Sequence, residues 1–593
     1  MMLLFLILCP ALTFAATTYY VATAANGGSD ANDGSIGSPW LTVQYAMDTV
    51  VGGDTIIVGV GTFTGRITTT KGGSAGNYIT VTGASQAGTI IVAGPNLGED
   101  KGWRITHDYI KIQNMTIRGD GLGSYAQIFY LDGADYVEIS GNIVEYSLSV
   151  SPLLDVGGFA LTSTSTHCTI QNNTIRYIHY LDFAINGSSH LIEGNTVIGR
   201  NYQGDTSPSI DGGDMDFIAL SGNGTTIRSN DFSGKQLGYR DHLDFVAYAT
   251  GMGATSLNHI IERNFIHDIN GGMQPLTVNV NDAEYAANPG NFGNWTFRNN
   301  IWANLANNGN GNVDLPNMKF YNETFYKVAQ SFPLFFLDGA TGYSHGTGGV
   351  VKNCIFIDCG DQVTSGWYAQ SAGNDLDADY NYVAQGPGAS YAAKTGFATG
   401  SPETNGIGGG NPYLSNIGGS SALDYALTSS STILINEGAD LSGSFTDDYA
   451  GVVRPQGSAY DMGAYEDPAP TITSFTVDPS GAFVTIHGSE NLAVTTGAGY
   501  TLSSDGDAVT LTHTSISGTD IIQATSRTIL STENLTYSYT GTDTKDLSGN
   551  DLAAITDEVV TNSSTQSGAV TAQTTHGVTG STVHAGSGST IYQ

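Results

Sequence analysis

Short apolar runs recur along the middle of the chain in one form: an apolar residue, two or three variable positions that include an asparagine, then another apolar residue. They read IQNMTI, ISGNIV, IQNNTI, IEGNTV, IRSNDF, IERNFI, FRNNIW, FYNETF, VKNCIF and DYNYV. One asparagine from each, Asn114, Asn142, Asn173, Asn195, Asn230, Asn264, Asn300, Asn322, Asn353 and Asn381, gives gaps of 28, 31, 22, 35, 34, 36, 22, 31 and 28 residues. A floor of 22 with variable excess is what a coil of three short strands with loop insertions produces. Asparagine suits the bend between two such strands, because it tolerates left-handed backbone and its amide can bond the coil above. The pattern predicts an all-β solenoid of parallel strands.

A second pattern lies inside the first. LDFAI (Leu181 to Ile185), GGDMDFIAL (Gly212 to Leu220) and LDFVAY (Leu243 to Tyr248) each open a short run with Asp-Phe. Alternation sends Phe183, Phe217 and Phe245 to one face and the aspartates to the other. Paired in register, Asp182, Asp216 and Asp244 stack about 4.8 Å apart. Carboxylates at that spacing repel by roughly 3 kcal/mol at an effective dielectric of about 20. The column therefore calls for a cation, a basic neighbour or a shared proton. Tyr180, Asp214 and His242 lie two residues upstream on the same face, with Arg240 two further up the third run. The expectation is an exposed polar strip, read either as a solvated sheet face with a structural calcium ion or as an active site.

The ends of the solenoid have their own signals. From Tyr19 a polar Gly/Asp/Asn loop leads to Pro39, an amphipathic segment (Leu41 to Val51), a Gly-Gly-Asp turn and an apolar strand, Thr55 to Val60. A parallel coil exposes its core at each end, and one amphipathic helix can cover it. The motifs NDGS, SPWLTVQYAM, GGDTIIV and GTFTG in this opening resemble the start of secreted right-handed parallel β-helix proteins of the pectate-lyase-like superfamily. DDYAGVVRPQGSAYDMGAYE (Asp447 to Glu466) resembles the closing segment of secreted bacterial β-helix proteins. The resemblance implies that the asparagine bend joins two strands of the coil, and that the third strand with its loops forms a polysaccharide cleft. The largest insertions, Gly199 to Gly213, Ser233 to Tyr239, Ala249 to Leu257 and Val278 to Gly293, flank the Asp-Phe runs.

Thr471 to about Thr561 shows short alternating runs at regular spacing and resembles bacterial Ig-like sandwich modules. The expected organisation is a secretory signal over residues 1–16, cap and first coils over 17–103, and the main right-handed β-helix over 104–390. The last coils and closing segment then cover 391–466, a small Ig-like β-sandwich 471–562, and a Ser/Thr/Gly-rich tail 563–593. Asp467 to Pro470 reads as a linker.

Composition narrows the partners. With 20 basic and 54 acidic residues the formal charge is −34. That argues against nucleic acid or an anionic membrane, whose binding rests on Lys and Arg. High Gly (78), low Pro (16) and frequent Tyr (31) fit many tight turns on short strands. The apolar start ending in Ala15 and Ala16 reads as a secretory signal without a basic n-region, and no other stretch is apolar enough to span a membrane. After cleavage Cys168, Cys354 and Cys359 remain, and are read as core-filling thiols, a Cys354–Cys359 pair being the alternative.

Three functions compete. In the first, a secreted lyase cleaves an extracellular, uronic-acid-containing polysaccharide by β-elimination. Asp182, Asp216 and Asp244 would hold calcium, and Lys235, Arg240, His242 and Asp214 would act as base and charge stabilisers. The resemblance implies the same arrangement, aspartates on adjacent rungs around calcium with a Lys or Arg base. In the second, paired aspartates hydrolyse a glycan as in other depolymerases on this fold. In the third, the solenoid is a non-catalytic glycan-binding adhesin. Tyr180, Tyr202, Tyr239 and Tyr248 are the candidate sugar-stacking residues.

Overall fold

The computed structural model describes residues 16–93, 101–120, 122–123, 126–146, 156–178, 180–199, 216–234, 243–248, 253–269, 273–305, 311–328, 333–337, 345–360, 368–370, 375–385, 403–494, 499–541, 543–546 and 550–567. The chain divides into two compact units, one of residues 1–426, 448–451 and 462–465, the other of 427–447, 452–461 and 466–593.

The first unit is a right-handed parallel β-helix. Its strands recur in threes, for example Ile110–Gln113, Thr116–Arg118 and Gln127–Leu131, then Glu138–Ser140, Ile143–Glu145 and Gly157–Leu161. Each joins its equivalent one coil away, so three parallel sheets run the length of the unit. Sheet 1 and sheet 2 have thirteen strands each and sheet 3 has eleven among the described residues. The crossovers take the right hand usual for parallel connections. The core is filled by columns of like side chains, such as Phe129, Phe159 and Phe183, whose rings stack at 5.1 and 5.4 Å. Helix Val43–Thr49 covers the N-terminal opening with Val43, Ala46 and Met47 buried. Asp30 Oδ1 accepts from the Leu41 and Thr42 amides and fixes the approach to that helix.

The asparagine bend joins sheet 1 to sheet 2, and it divides its work between two neighbouring residues. The first is left-handed: Asn114, Gly141, Asn172, Gly194, Ser229, Arg263, Asn299, Asn322, Asn353 and Tyr380 all have φ between 52° and 63°. The second turns inward and bonds the next coil. Asn142, Asn173, Asn195, Asn230, Asn264 and Asn300 form this ladder, each of the first five donating its backbone N–H and side-chain amide to Oδ1 of the next asparagine. Three of the asparagines chosen from the sequence pattern, Asn114, Asn322 and Asn353, are the left-handed residue instead. The ladder position beside them holds Met115, Glu323 and Cys354. Glu323 still serves, its Oε1 accepting from the Asn300 N–H and amide at 3.0 Å each.

Cys168, Cys354 and Cys359 are free and buried, which bears out their reading as core thiols. Glu193, Arg228, Glu262 and Arg298 form a charge column along sheet 1, in which the Glu193 carboxylate receives Arg228 Nε at 2.7 Å. Among the described residues no helix is long and apolar enough to cross a membrane.

The second unit carries small, mostly antiparallel sheets around Phe475, Val477, Val484, Ile486, Tyr537 and Tyr539, which fit the Ig-like sandwich expected. The closing signature contributes a buried polar knot to it. Arg454 Nη1 donates to Glu466 Oε2 at 2.7 Å and to the Asp461 carbonyl, while the Asp461 carboxyl accepts from the Asn436 and Asp467 amides. Buried charges persist only when paired and hydrogen-bonded, so this motif holds structure. Asp467, expected at the start of a linker, is buried and its carbonyl accepts from Asn550 Nδ2.

Candidate active site on sheet 3

Sheet 3 carries the Asp-Phe runs, and its register differs from the predicted one. Phe183 pairs with Ile218, and Ile218 with Val246. Asp216 and Asp244 are therefore lateral neighbours, whereas Asp182 stands opposite Phe217, one residue out. The column that sets the register is Ala160, Ala184, Ala219, Ala247 and Thr277. The second and third runs hold one more residue between Phe and Ala than the first does. That residue also breaks the alternation, since Phe217 with Ile218, and Phe245 with Val246, all lie in the core.

The aspartates are not an exposed strip. Asp182, Asp216 and Asp244 are 1%, 3% and 0% exposed. Asp216 Oδ1 accepts the backbone N–H of Asp244 at 2.8 Å. Asp244 Oδ1 lies 3.0 Å from Thr277 Oγ1, which is also 2.5 Å from Gln274 Oε1. One hydroxyl proton cannot serve two acceptors. Turning the Gln274 amide resolves this, since amide orientation is an assignment. The amide then donates to Thr277, and Thr277 donates to Asp244. Gln274 pairs directly with Asp244 across the strands, so Asp216, Asp244 and Gln274 line up on three successive rungs with Thr277 beside them.

Gln274 and Thr277 escaped the sequence reading. They lie in MQPLTV, where Pro275 interrupts the Asp-Phe pattern. Their signal is the spacing from Asp244, which matches the spacing of the coils.

Of the other candidates, Tyr180 is partly exposed. Tyr248 is fully buried against Phe292 with its hydroxyl 2.9 Å from the Gly253 carbonyl and 3.3 Å from Glu284, so it has no face free for a sugar. Burial first, then Glu284, pushes its phenol pKa up. Lys235, Arg240, His242, Asp214, Tyr202 and Tyr239 lie outside the described residues.

Calcium takes six to eight oxygens. Asp216 and Asp244 offer two carboxylates, each with one oxygen already accepting a hydrogen bond from the protein. No group of three acidic, histidine or cysteine side chains among the described residues is arranged to hold a metal. The described donor set does not by itself make a calcium site.

No protein-family model matches the sequence, and no curated protein matches it. Solved structures similar to the chain include a XylC complex with xylose (11% identity, 62% of this chain and 83% of that one, TM-score 0.42). Pectate lyase Pel9A is 17% identical over 76% of this chain and 97% of its own, with a TM-score of 0.38. An alginate lyase from Paenibacillus sp. str. FPU-7 is 15% identical over 66% and 98%, with a TM-score of 0.30. The fold stands on the strand pairing described above, and these values say nothing of a reaction.

A second polar cluster follows the same sheet toward sheet 1. The Asp314 carboxylate is fully buried and accepts the His345 and Val280 amides. Burial pushes its pKa up to about 6, against the pull of His345. The His345 ring packs tilted against Tyr285, 4.0 Å between centroids, and reaches Asp282 at 3.4 Å, which ties helix Asp282–Ala287 to the coil.

Proposed function

We propose that the protein is an extracellular polysaccharide lyase that cleaves a uronic-acid-containing glycan by β-elimination over the Asp216 and Asp244 rungs. The observation that supports it most is the pairing of these carboxylates on neighbouring coils, fastened through Thr277 and Gln274, with segments 200–215 and 235–242 immediately before them in the sequence. Those segments hold Arg200, Lys235, Arg240 and His242 in a chain with only 20 basic residues.

In the elimination a base removes the C5 proton, the electron pair forms the C4–C5 double bond, and the C4–O bond breaks, its oxygen leaving with a proton. The uronate carboxylate must first be neutralised to acidify C5. Arg240 and Lys235 are the residues proposed to neutralise it, and His242 the base. Asp244, its geometry set by Thr277, orients the cationic groups. Calcium enters the proposal only as a ligand that Asp216 and Asp244 would share with donors from outside the described residues, and no step depends on it.

A second reading has its own support, because adjacent strands hold carboxyl groups near the roughly 5 Å separation of retaining glycosidases. A panel of pectate, alginate, glycosaminoglycan and neutral glycans decides. Ultraviolet absorbance of the unsaturated product together with new reducing ends is the expected result. Reducing ends without absorbance make the enzyme a hydrolase, and binding without either makes it an adhesin.

A further inference from the structure

The turn from sheet 3 to sheet 1 repeats once per coil, and one residue in each turn is left-handed. The column reads Tyr109 (φ 56°), Tyr136 (55°), His167 (55°) and Ser189 (58°), then Gly224, Asn258, Asn294 and Asn317. The turn is held by other residues. The Asp135 amide donates to Asp108 Oδ1, and the Thr166 amide to Asp135 Oδ1, at 2.9 and 2.7 Å. Glycine and asparagine take this backbone most readily, and the later coils use them. Bulky rings at three successive coils are what the backbone disfavours.

The rings form a stack. Tyr109 and Tyr136 lie 4.9 Å apart at 7°, Tyr136 and His167 5.0 Å apart at 15°, and Tyr78 packs edge-on to Tyr109 at 5.5 Å. These separations match the spacing of the strands. The ring planes therefore lie across the coil axis, and their edges face water, with Tyr136 40% exposed. The far face of His167 looks toward Ser189, which has no ring to cover it. Stacking of the rings does little more than offset the strain. The fold gains little from aromatic residues here.

We infer that this stack is a second binding surface, on a different edge of the coil from Asp216 and Asp244, for an uncharged glycan chain lying along the coil axis. Tyrosine hydroxyls spaced at one coil exchange hydrogen bonds with sugar hydroxyls, and a pyranose C–H face packs on the open face of His167. The ligand is uncharged because Asp108, Asp135 and Glu138 flank the stack, and Lys111 is held by Glu138 at 2.9 Å. Such a border repels a polyanion.

The test is affinity electrophoresis of the full chain through gels containing soluble β-glucan, xyloglucan, galactomannan or polyuronate. At least one uncharged polymer should retard the protein. Tyr136→Asn with His167→Asn should weaken that affinity roughly tenfold, the loss of a ring contact and a hydrogen bond. The unfolding midpoint should hold or rise, because asparagine is what this turn takes elsewhere. Tyr136→Phe, which keeps the stack, should weaken binding in part. The inference is overturned if no uncharged glycan retards the protein, if both variants bind as the parent does, or if the Asn variant loses stability while Tyr136→Phe binds normally. Cleavage of polyuronate is scored separately, so failure of the lyase reading leaves this result legible.

Discussion

Glu323 shows how one buried side chain sets a pH dependence. It is fully buried at the ladder position, where Asn300 and the Trp302 indole N–H donate to it, yet burial outweighs these bonds and pushes its pKa up to about 8. Glu403, which receives the Asn381 amide, is likewise pushed up to about 8 by burial. A carboxyl whose folded pKa lies above its unfolded value near 4.3 holds a proton that the unfolded chain gives up. Stability therefore falls as pH rises from about 4.5 toward 8. His190 and His259 act at the other end, burial lowering them to about 4 and about 3. Their contribution is lost as pH falls below about 6.5. The unfolding midpoint should thus peak on the acidic side of neutrality, and Glu323→Gln should flatten its decline up to about pH 8. It should also lower the midpoint at about pH 5, since a side-chain amide N–H there would face the Trp302 N–H. An equal decline in parent and variant would sink this account. At the candidate site, Thr277→Val should destabilise by about 1–3 kcal/mol in denaturant unfolding, because it strips a donor from the buried Asp244 carboxylate, and Thr277→Ser should restore most of it.

At the scale of the element, the bend between sheets 1 and 2 carries two requirements that the sequence presents as one. Asparagine satisfies both the left-handed position and the ladder position, so runs such as QNN and RNN do not say which asparagine does which. The repeat and its coil length were legible because apolar spacing and asparagine recur together. The shift at Asn322 to Glu323 was not, because a carboxylate stands where an amide was expected and its neighbour mimics the motif. The same ambiguity misplaced Asp182: three Asp-Phe pairs look equivalent, but the alanine column behind them fixes the pairing. Substitutions can separate the two roles. Asn230→Ala removes the side-chain donor to Asn264 Oδ1, the Ile192 carbonyl and the Arg228 carbonyl and takes from Asn195 its acceptor on the next coil. It should cost about 3 kcal/mol or more in denaturant unfolding. Ser229→Gly, at φ 55°, should be neutral or stabilising. If the two variants behave alike, the division of labour is wrong.

At the scale of the molecule, two opposite responses to salt compete. Ion pairs line the outer faces, among them Arg118 and Arg176 on Glu145, Arg228 on Glu193 and Lys352 on Asp377. In each the basic partner is partly exposed, and such a pair contributes at most about 1 kcal/mol, which salt screens away. Against them stands a net charge of −34, whose self-repulsion disfavours the compact state everywhere at once. Repulsion among the surplus acids acts over many more pairs than the few ladders. Shortening the Debye length from about 30 Å at 0.01 M salt to about 10 Å at 0.1 M removes more repulsion than attraction. The unfolding midpoint should therefore rise with sodium chloride, and a fall would mean that the ladders outweigh the surplus. The same measurement isolates calcium. At matched ionic strength, screening alone gives sodium and calcium nearly the same shift. A bound ion adds stability by mass action at micromolar to millimolar calcium. An additional calcium shift that disappears in the Asp216→Ala, Asp244→Ala double variant would place the ion at those rungs. Equal shifts would remove calcium from the proposal and leave the elimination to Lys235, Arg240 and His242.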